Sequence, residues 1–226
     1  MTEQMYDLLA LWFPENEKFR FWQPVSTIFM HGGFTHLLFN MYALWAFGTP
    51  LAEIWGAHRF LFFYLISGIG ASLIYLLVNY FTFNKAVEAL RGAGISAENI
   101  QAFLTANRPS YESIPSEVSP LSADELVEFF GTYNIPAVGA SGAIYGVLVA
   151  FGMLYPNAKL ALIFFPVPIA AKYFIPVLIA LDLFSGVTGI SIFGGGIAHF
   201  AHVGGALIGF LLMLYWKGRS RRENMV

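Results

Sequence analysis

The chain has 226 residues, of which 57% are hydrophobic, 17% aromatic and only 12% charged, against about a quarter charged in soluble domains. That composition excludes a soluble globular domain and implies an all-α, polytopic membrane bundle, while a formal net charge of -2, with the few basic residues at helix ends, sets nucleic-acid binding aside. Cysteine is absent, which excludes disulfides, thiolate zinc sites and cysteine nucleophiles, so any chemistry must use oxygen and nitrogen atoms.

A hydrocarbon core about 30 Å thick needs roughly 20 helical residues to cross it. Residues 1–24 hold one apolar stretch, Leu8 to Phe13, too short to span, and carry no signal peptide; they read as an N-terminal segment and outside loop. Five apolar runs then predict spans at 25–47, 60–81, 138–154, 173–190 and 197–216. Residues 159–172 are apolar too, but Pro166 and Pro168 interrupt them and lysines bound them, so they read as an interfacial connection. The spans make 25–216 one membrane domain, followed by a basic tail at 217–226.

Positive flanks of short loops stay cytoplasmic. The tail carries Lys217, Arg219, Arg221 and Arg222. Alternating sides back from it puts Lys159, Lys172, His58 and Arg59 on the same face. The insert at 84–136 falls outside, with Glu88, Glu98, Glu112, Glu117, Asp124, Glu125 and Glu128 against Lys85, Arg91 and Arg108. Helix-permissive pieces at 85–93, 97–107 and 123–130 predict a helical extramembrane cap; a solvated linker is the other reading. Five spans leave the amino terminus outside with nothing to explain its export, so a further upstream helix is expected.

Polar groups in hydrocarbon usually face a bundle interior or a water-filled cavity. On the first span these are His31, Thr35, His36 and Asn40. His36 and Asn40 are four apart and share a helix face, where they can donate to one point or serve as packing glue. On the third span Ser141 is followed one turn later by Tyr145. A serine alcohol needs a base within hydrogen-bond reach, and the last span offers His202. Gly142 and Gly146 on the serine helix, and Gly205 and Gly209 on the histidine helix, form Gly-x-x-x-Gly pairs that let two helices approach closely. Tyr145 can pack its ring against the imidazole. Asp182 is a single carboxylate, read as a hydrogen-bonding anchor, since an aspartyl mechanism needs two. His199 and His202 lack a third ligand, so no metal is expected.

At this point the chain resembles the rhomboid family of intramembrane serine proteases, of bacterial type. The likeness rests on His31-Gly-Gly-Phe-Thr-His36-Leu-Leu-Phe-Asn40, on Gly139-Ala-Ser141-Gly-Ala-Ile-Tyr145-Gly146 and on Ala201-His202-Val-Gly-Gly205-Ala-Leu-Ile-Gly209. The resemblance implies Ser141 as nucleophile and His202 as base, a dyad without an acid. It implies an oxyanion hole from His36, Asn40 and the Ser141 backbone N–H. Tyr145 would orient His202, His31 would lie near the mouth, and Gly139 and Gly205 would support the site. Glu53 would fix a neighbouring loop. The family's usual core has six spans, the first of which is not seen here, and its Trp-Arg pair appears as Trp22-Gln23.

The implied activity is cleavage of a peptide bond in or beside a substrate transmembrane helix through an acyl-enzyme, with no cofactor. The partners are the bilayer and transmembrane proteins; the oligomeric state is open. The implied location is a bacterial inner membrane, with the C-terminus cytoplasmic and the site opening outside. Ser141 is expected about three residues, or roughly 5 Å, below the outer end of its span, with the Gly-rich loop 191–196 as a gate. The alternative is a non-catalytic rhomboid-like protein that binds or escorts transmembrane clients.

Overall fold

The computed structural model describes residues 3–109, 113, 114, 118–162, 165–190, 192, 194 and 196–223. In chain order its elements are α1 (Glu3–Leu9), α2 (Gln23–Ser26), a 3-10 turn (Thr27–Phe29), α3 (Phe34–Ala43), a π-helical turn (Leu44–Gly48), α4 (Thr49–Trp55), α5 (Ala57–Gly92), α6 (Ala97–Thr105), α7 (Ala123–Asn134), α8 (Ser141–Leu154), β1 (Lys159–Leu162), β2 (Phe165–Ala170), α9 (Ala171–Thr188) and α10 (His199–Glu223). Helices α5 and α9 and the stretch His199–Gly218 of α10 are long and apolar enough to cross a membrane, and α8 is a shorter apolar helix. The protein is a multi-pass integral membrane protein with a helical bundle.

Three expected spans change shape. The run 25–47 is not one helix. Two adjacent glycines, each costing about 1 kcal/mol in a helix, separate the 3-10 turn from α3, which starts at Phe34. The chain then passes through the π turn, where Gly48 lies against the Phe60 ring, and stops at Gly56, whose φ of +76° favours glycine. The second run does not end at 81. No glycine or proline interrupts 71–91, so α5 continues to Gly92 and absorbs the expected piece at 85–93. The third run becomes helical only at Ser141, because Gly139 has φ +141° and Ala137 is paired in extended form with Leu11. Ser141 is therefore the first residue of its helix rather than the fourth.

In the expected connection at 159–172, β1 and β2 pair antiparallel, with Lys159 opposite Ala170 and Leu160 opposite Ile169. Pro166 and Pro168 are tolerated because a two-stranded ribbon keeps a free edge on each strand. The sequence carried no alternation strong enough to predict it. Of the 191–196 loop, Ser191, Phe193 and Gly195 lie outside the described residues.

Two compact units emerge, one from Met1–Gln23 and Leu76–Ala137, the other from Pro24–Tyr75 and Val138–Val226. The first is built on Phe13, Phe83, Leu90, Phe103, Leu126 and Phe129. Gln23 is fully buried in it; its side chain accepts from the Trp12 N–H (3.2 Å) and donates to the carbonyls of Asp7 (3.2 Å) and Lys18 (2.9 Å). An amide can donate and accept at once, so this position, which stands where the family resemblance has an arginine, ties a loop together.

The expected pieces at 97–107 and 123–130 are α6 and α7. Helix α7 opens with a capping box: Ser122 Oγ accepts from Glu125 N–H, and the Glu125 carboxylate accepts from Ser122 N–H at 2.8 Å. Those hydrogen bonds from Ser122 hold the Glu125 pKa below its ordinary 4.5.

The second unit is centred on α8, whose residues from Gly142 to Phe151 are all buried. Its main neighbour is α10. A Cβ on Gly205 would overlap the Gly142 carbonyl oxygen, and one on Gly209 would lie 2.6 Å from Gly146 Cα. The pairing 142 with 205 and 146 with 209 advances in the same direction on both helices, so they run parallel with their first turns side by side. Glu53, expected to fix a loop, is exposed and makes no hydrogen bond among the described residues, because α4 directs it away from the core that Leu51 enters.

Two measurements follow. Gly205→Ala lowers stability by about 1–3 kcal/mol or more, read as the thermal midpoint in detergent, whereas Gly33→Ala, with extended φ and nothing within 4 Å, does not. A depressed carboxylate pKa contributes stability that is full above the unfolded value of 4.5 and is lost as pH falls through the folded value. Wild type therefore exceeds Glu125→Gln in thermal midpoint near neutral pH, and the gap closes on acidification below 4.5.

Candidate active site

The parallel packing of α8 and α10 brings two short side chains together. His202 Nε2 lies 2.8 Å from Ser141 Oγ. The opposite ring nitrogen, Nδ1, lies 3.1 Å from Asp182 Oδ1. A carboxylate only accepts, so Nδ1 carries the proton, and in the neutral ring Nε2 is then the acceptor for the serine hydroxyl. The Tyr145 ring stacks on the imidazole, with centroids 4.2 Å apart at 12°.

Asp182, on α9, is 1% exposed. Its Oδ2 accepts from the Tyr145 hydroxyl, and its Oδ1 also accepts from His199 Nδ1 at 2.6 Å. Asp182 is thus the hydrogen-bonding anchor that was expected, and where the family resemblance implied a dyad without an acid, its carboxylate lies 3.1 Å from His202 Nδ1. A sequence signal existed, since the only acidic residue of the last two spans precedes two histidines spaced i, i+3, which point from neighbouring positions of one helix.

From α3, His36 reaches the other side of Ser141. Gly32 N–H donates to His36 Nδ1 at 3.2 Å, so Nε2 carries the ring proton. A Cβ built on Gly139 would lie 3.1 Å from His36 Nε2 and 3.4 Å from Ser141 Oγ. Both atoms thus converge over Gly139, which must be glycine for space as well as for its φ. His31 is buried, its ring edge-on to His36 with centroids 5.4 Å apart.

Asn40 makes a local bond. It is 6% exposed, and its amide donates to the His36 carbonyl at 2.8 Å, the local i−4 bond that short polar side chains make inside helices. One of its two N–H groups is thereby used. At the start of α8 no side chain caps the helix, because Ala140 precedes it, and the first backbone bond into the helix is from Ile144 to Ala140. The N–H groups of Ser141, Gly142 and Ala143 are left at a helix N-terminus, where they favour negative charge.

Comparison with known proteins bears on the family of the chain. Residues 18–219 match the family described as the Rhomboid domain. Rhomboid protein 1, mitochondrial, of Saccharomyces cerevisiae is 29% identical over 191 residues, covering 84% of this chain and 40% of that protein. Presenilin-associated rhomboid-like protein, mitochondrial, of Homo sapiens is 27% identical over 198 residues, covering 85% and 38%. Rhomboid protease AarA of Providencia stuartii is 27% identical over 207 residues, covering 85% and 55%. The chain thus spans about two fifths of the mitochondrial relatives and just over half of the bacterial one. No solved structure gives a significant match. With the family domain covering 202 of its residues, from 18 to 219, the chain belongs to the rhomboid family.

Proposed function

We propose that the protein is an intramembrane serine endopeptidase that cleaves a peptide bond in or beside a substrate transmembrane helix. The observation that carries this is the 2.8 Å approach of His202 Nε2 to Ser141 Oγ, within the range a nucleophile and its base require. The Providencia stuartii relative is named a protease, which supports the same chemistry.

In this reading Ser141 Oγ attacks the scissile carbonyl carbon while its proton passes to His202 Nε2. The negative oxygen of the tetrahedral intermediate meets the Ser141 N–H, the His36 Nε2–H and the remaining Asn40 N–H. Collapse breaks the C–N bond as His202 returns the proton to the leaving amine, leaving an ester on Ser141. Water then attacks the ester, His202 takes its proton, and the carboxylic product departs as the serine hydroxyl is restored. Tyr145 holds the imidazole flat throughout, and His31 buttresses His36.

Water must reach the site. At 1.5 Å per residue the 14 residues of α8 cover about 21 Å, less than the roughly 30 Å of hydrocarbon. In this reading the short helix leaves Ser141, its first residue, within reach of water from the side at which α8 begins. On the same reading the site opens on the side opposite the basic tail, with the C-terminus cytoplasmic, the membrane a bacterial inner membrane and 84–136 an extramembrane cap. Transmembrane proteins with small or helix-breaking residues at the cut site are the substrates.

A serine-reactive fluorophosphonate is expected to label wild type and not Ser141→Ala. Ser141→Ala and His202→Ala should each reduce cleavage of a transmembrane substrate to background, and the double variant should be little worse, since the pair acts as a unit. Asn40→Ala should cost about a hundred-fold or less in kcat. Near wild-type cleavage by Ser141→Ala would end the protease reading.

A further inference from the structure

A general base must present an unprotonated nitrogen at a fixed angle to the nucleophile, and imidazole can offer either nitrogen in either of two flipped orientations. Something has to choose. In this bundle the group within reach of His202 Nδ1 is the Asp182 carboxylate, at 3.1 Å. Resting on the serine-protease reading above, we infer that Asp182 is a positioning residue that converts the Ser141–His202 pair into a triad, fixing the His202 tautomer and stabilising the imidazolium formed when Ser141 is deprotonated.

Three observations carry this. Asp182 Oδ1 faces the ring nitrogen opposite the one that faces Ser141, so serine, imidazole and carboxylate lie in sequence. The carboxylate is itself held, by the Tyr145 hydroxyl on Oδ2 and by His199 Nδ1 at 2.6 Å on Oδ1, and three donors on one buried carboxylate favour its charged form. Tyr145 also stacks on the imidazole, so one residue fixes the carboxylate and the ring it orients relative to each other. During reaction the serine proton moves to Nε2, the Nδ1 proton stays on the ring, and Asp182 remains ionised, facing a cation it contacts directly.

A purely structural tie from α9 to α10 predicts something else. It would lower stability and weaken substrate binding, leaving kcat of the folded fraction alone. The test uses the full chain in detergent and in vesicles, with fluorophosphonate labelling of Ser141 and steady-state cleavage of a transmembrane substrate. Removal of the orienting carboxylate costs about ten thousand-fold in a soluble serine-protease triad. For Asp182→Asn we expect labelling and kcat to fall by about a hundred-fold or more with KM changed by less than about threefold. Asp182→Glu should recover at least about tenfold of that loss. Tyr145→Phe, which keeps the stacked ring but removes the hydroxyl on Oδ2, should lower kcat by roughly three- to tenfold.

Wild-type labelling and kcat in a folded Asp182→Asn overturns the inference and leaves the protease reading intact. If Asp182→Asn does not fold, an unchanged kcat in Tyr145→Phe overturns it instead. Absence of labelling in wild type removes both.

Discussion

Everything at this site depends on two helix backbones touching. Serine and histidine side chains are short, and a 2.8 Å contact between them requires their helices to be closer than ordinary side chains permit. Gly142 and Gly146 meeting Gly205 and Gly209 remove the obstruction. In a membrane, where apolar burial gives little drive for association, such close approach is itself the source of attraction, through dispersion and weak polar contacts along the seam. The same four glycines therefore hold α8 to α10 and set the distance between Ser141 and His202. Around this seam the other helices are fitted rather than free: Ser67 and Ala71 of α5 press on Gly146 and Gly142, and Ile74 on Gly204.

A buried charge is the second constraint. An ionised carboxylate in hydrocarbon is expensive unless its oxygens are occupied. Asp182 has a hydroxyl and two imidazole N–H groups arranged about it, one from α8 and two from α10. The carboxylate thus joins three helices at the level of the serine. Losing any one donor leaves more of the desolvation cost uncompensated, which makes the network sensitive to changes that do not touch Ser141.

The local motifs were legible because chemistry needs particular residue types. Ser141, His202, Tyr145, His36 and Gly139 could be gathered from spacing and from the family resemblance, and the structure places them within contact of one another. The bundle class followed from composition. What could not be read was decided by tertiary packing. The π turn at Leu44–Gly48 answers to Phe60 of another helix, and the length of α5 reflects an unbroken propensity that hydropathy alone cut short. The pairing of β1 with β2 is hidden by prolines that usually argue against strands. Asp182 was recognised as a polar oddity, but its partners lie 17, 20 and 37 residues away in sequence, and no periodicity reports a contact across three helices. Gln23 stands where the family resemblance has an arginine, and nothing in its sequence position reports that it is a buried donor and acceptor that closes a loop.

The parallel run of α8 and α10 carries one more consequence. Antiparallel neighbours place opposite ends of their peptide dipoles together and cancel much of the field, but here two amino-terminal ends lie side by side, each equivalent to roughly half a positive charge. Ser141 and His202 thus sit in a positive potential that neither side chain supplies, and Asp182 is the acidic side chain beside them. Under the proposed peptidase reading, a negative charge arising on a substrate oxygen would enter a field already oriented to receive it. The direction of the two helices, and not only the side chains they carry, would then belong to the chemistry of the site.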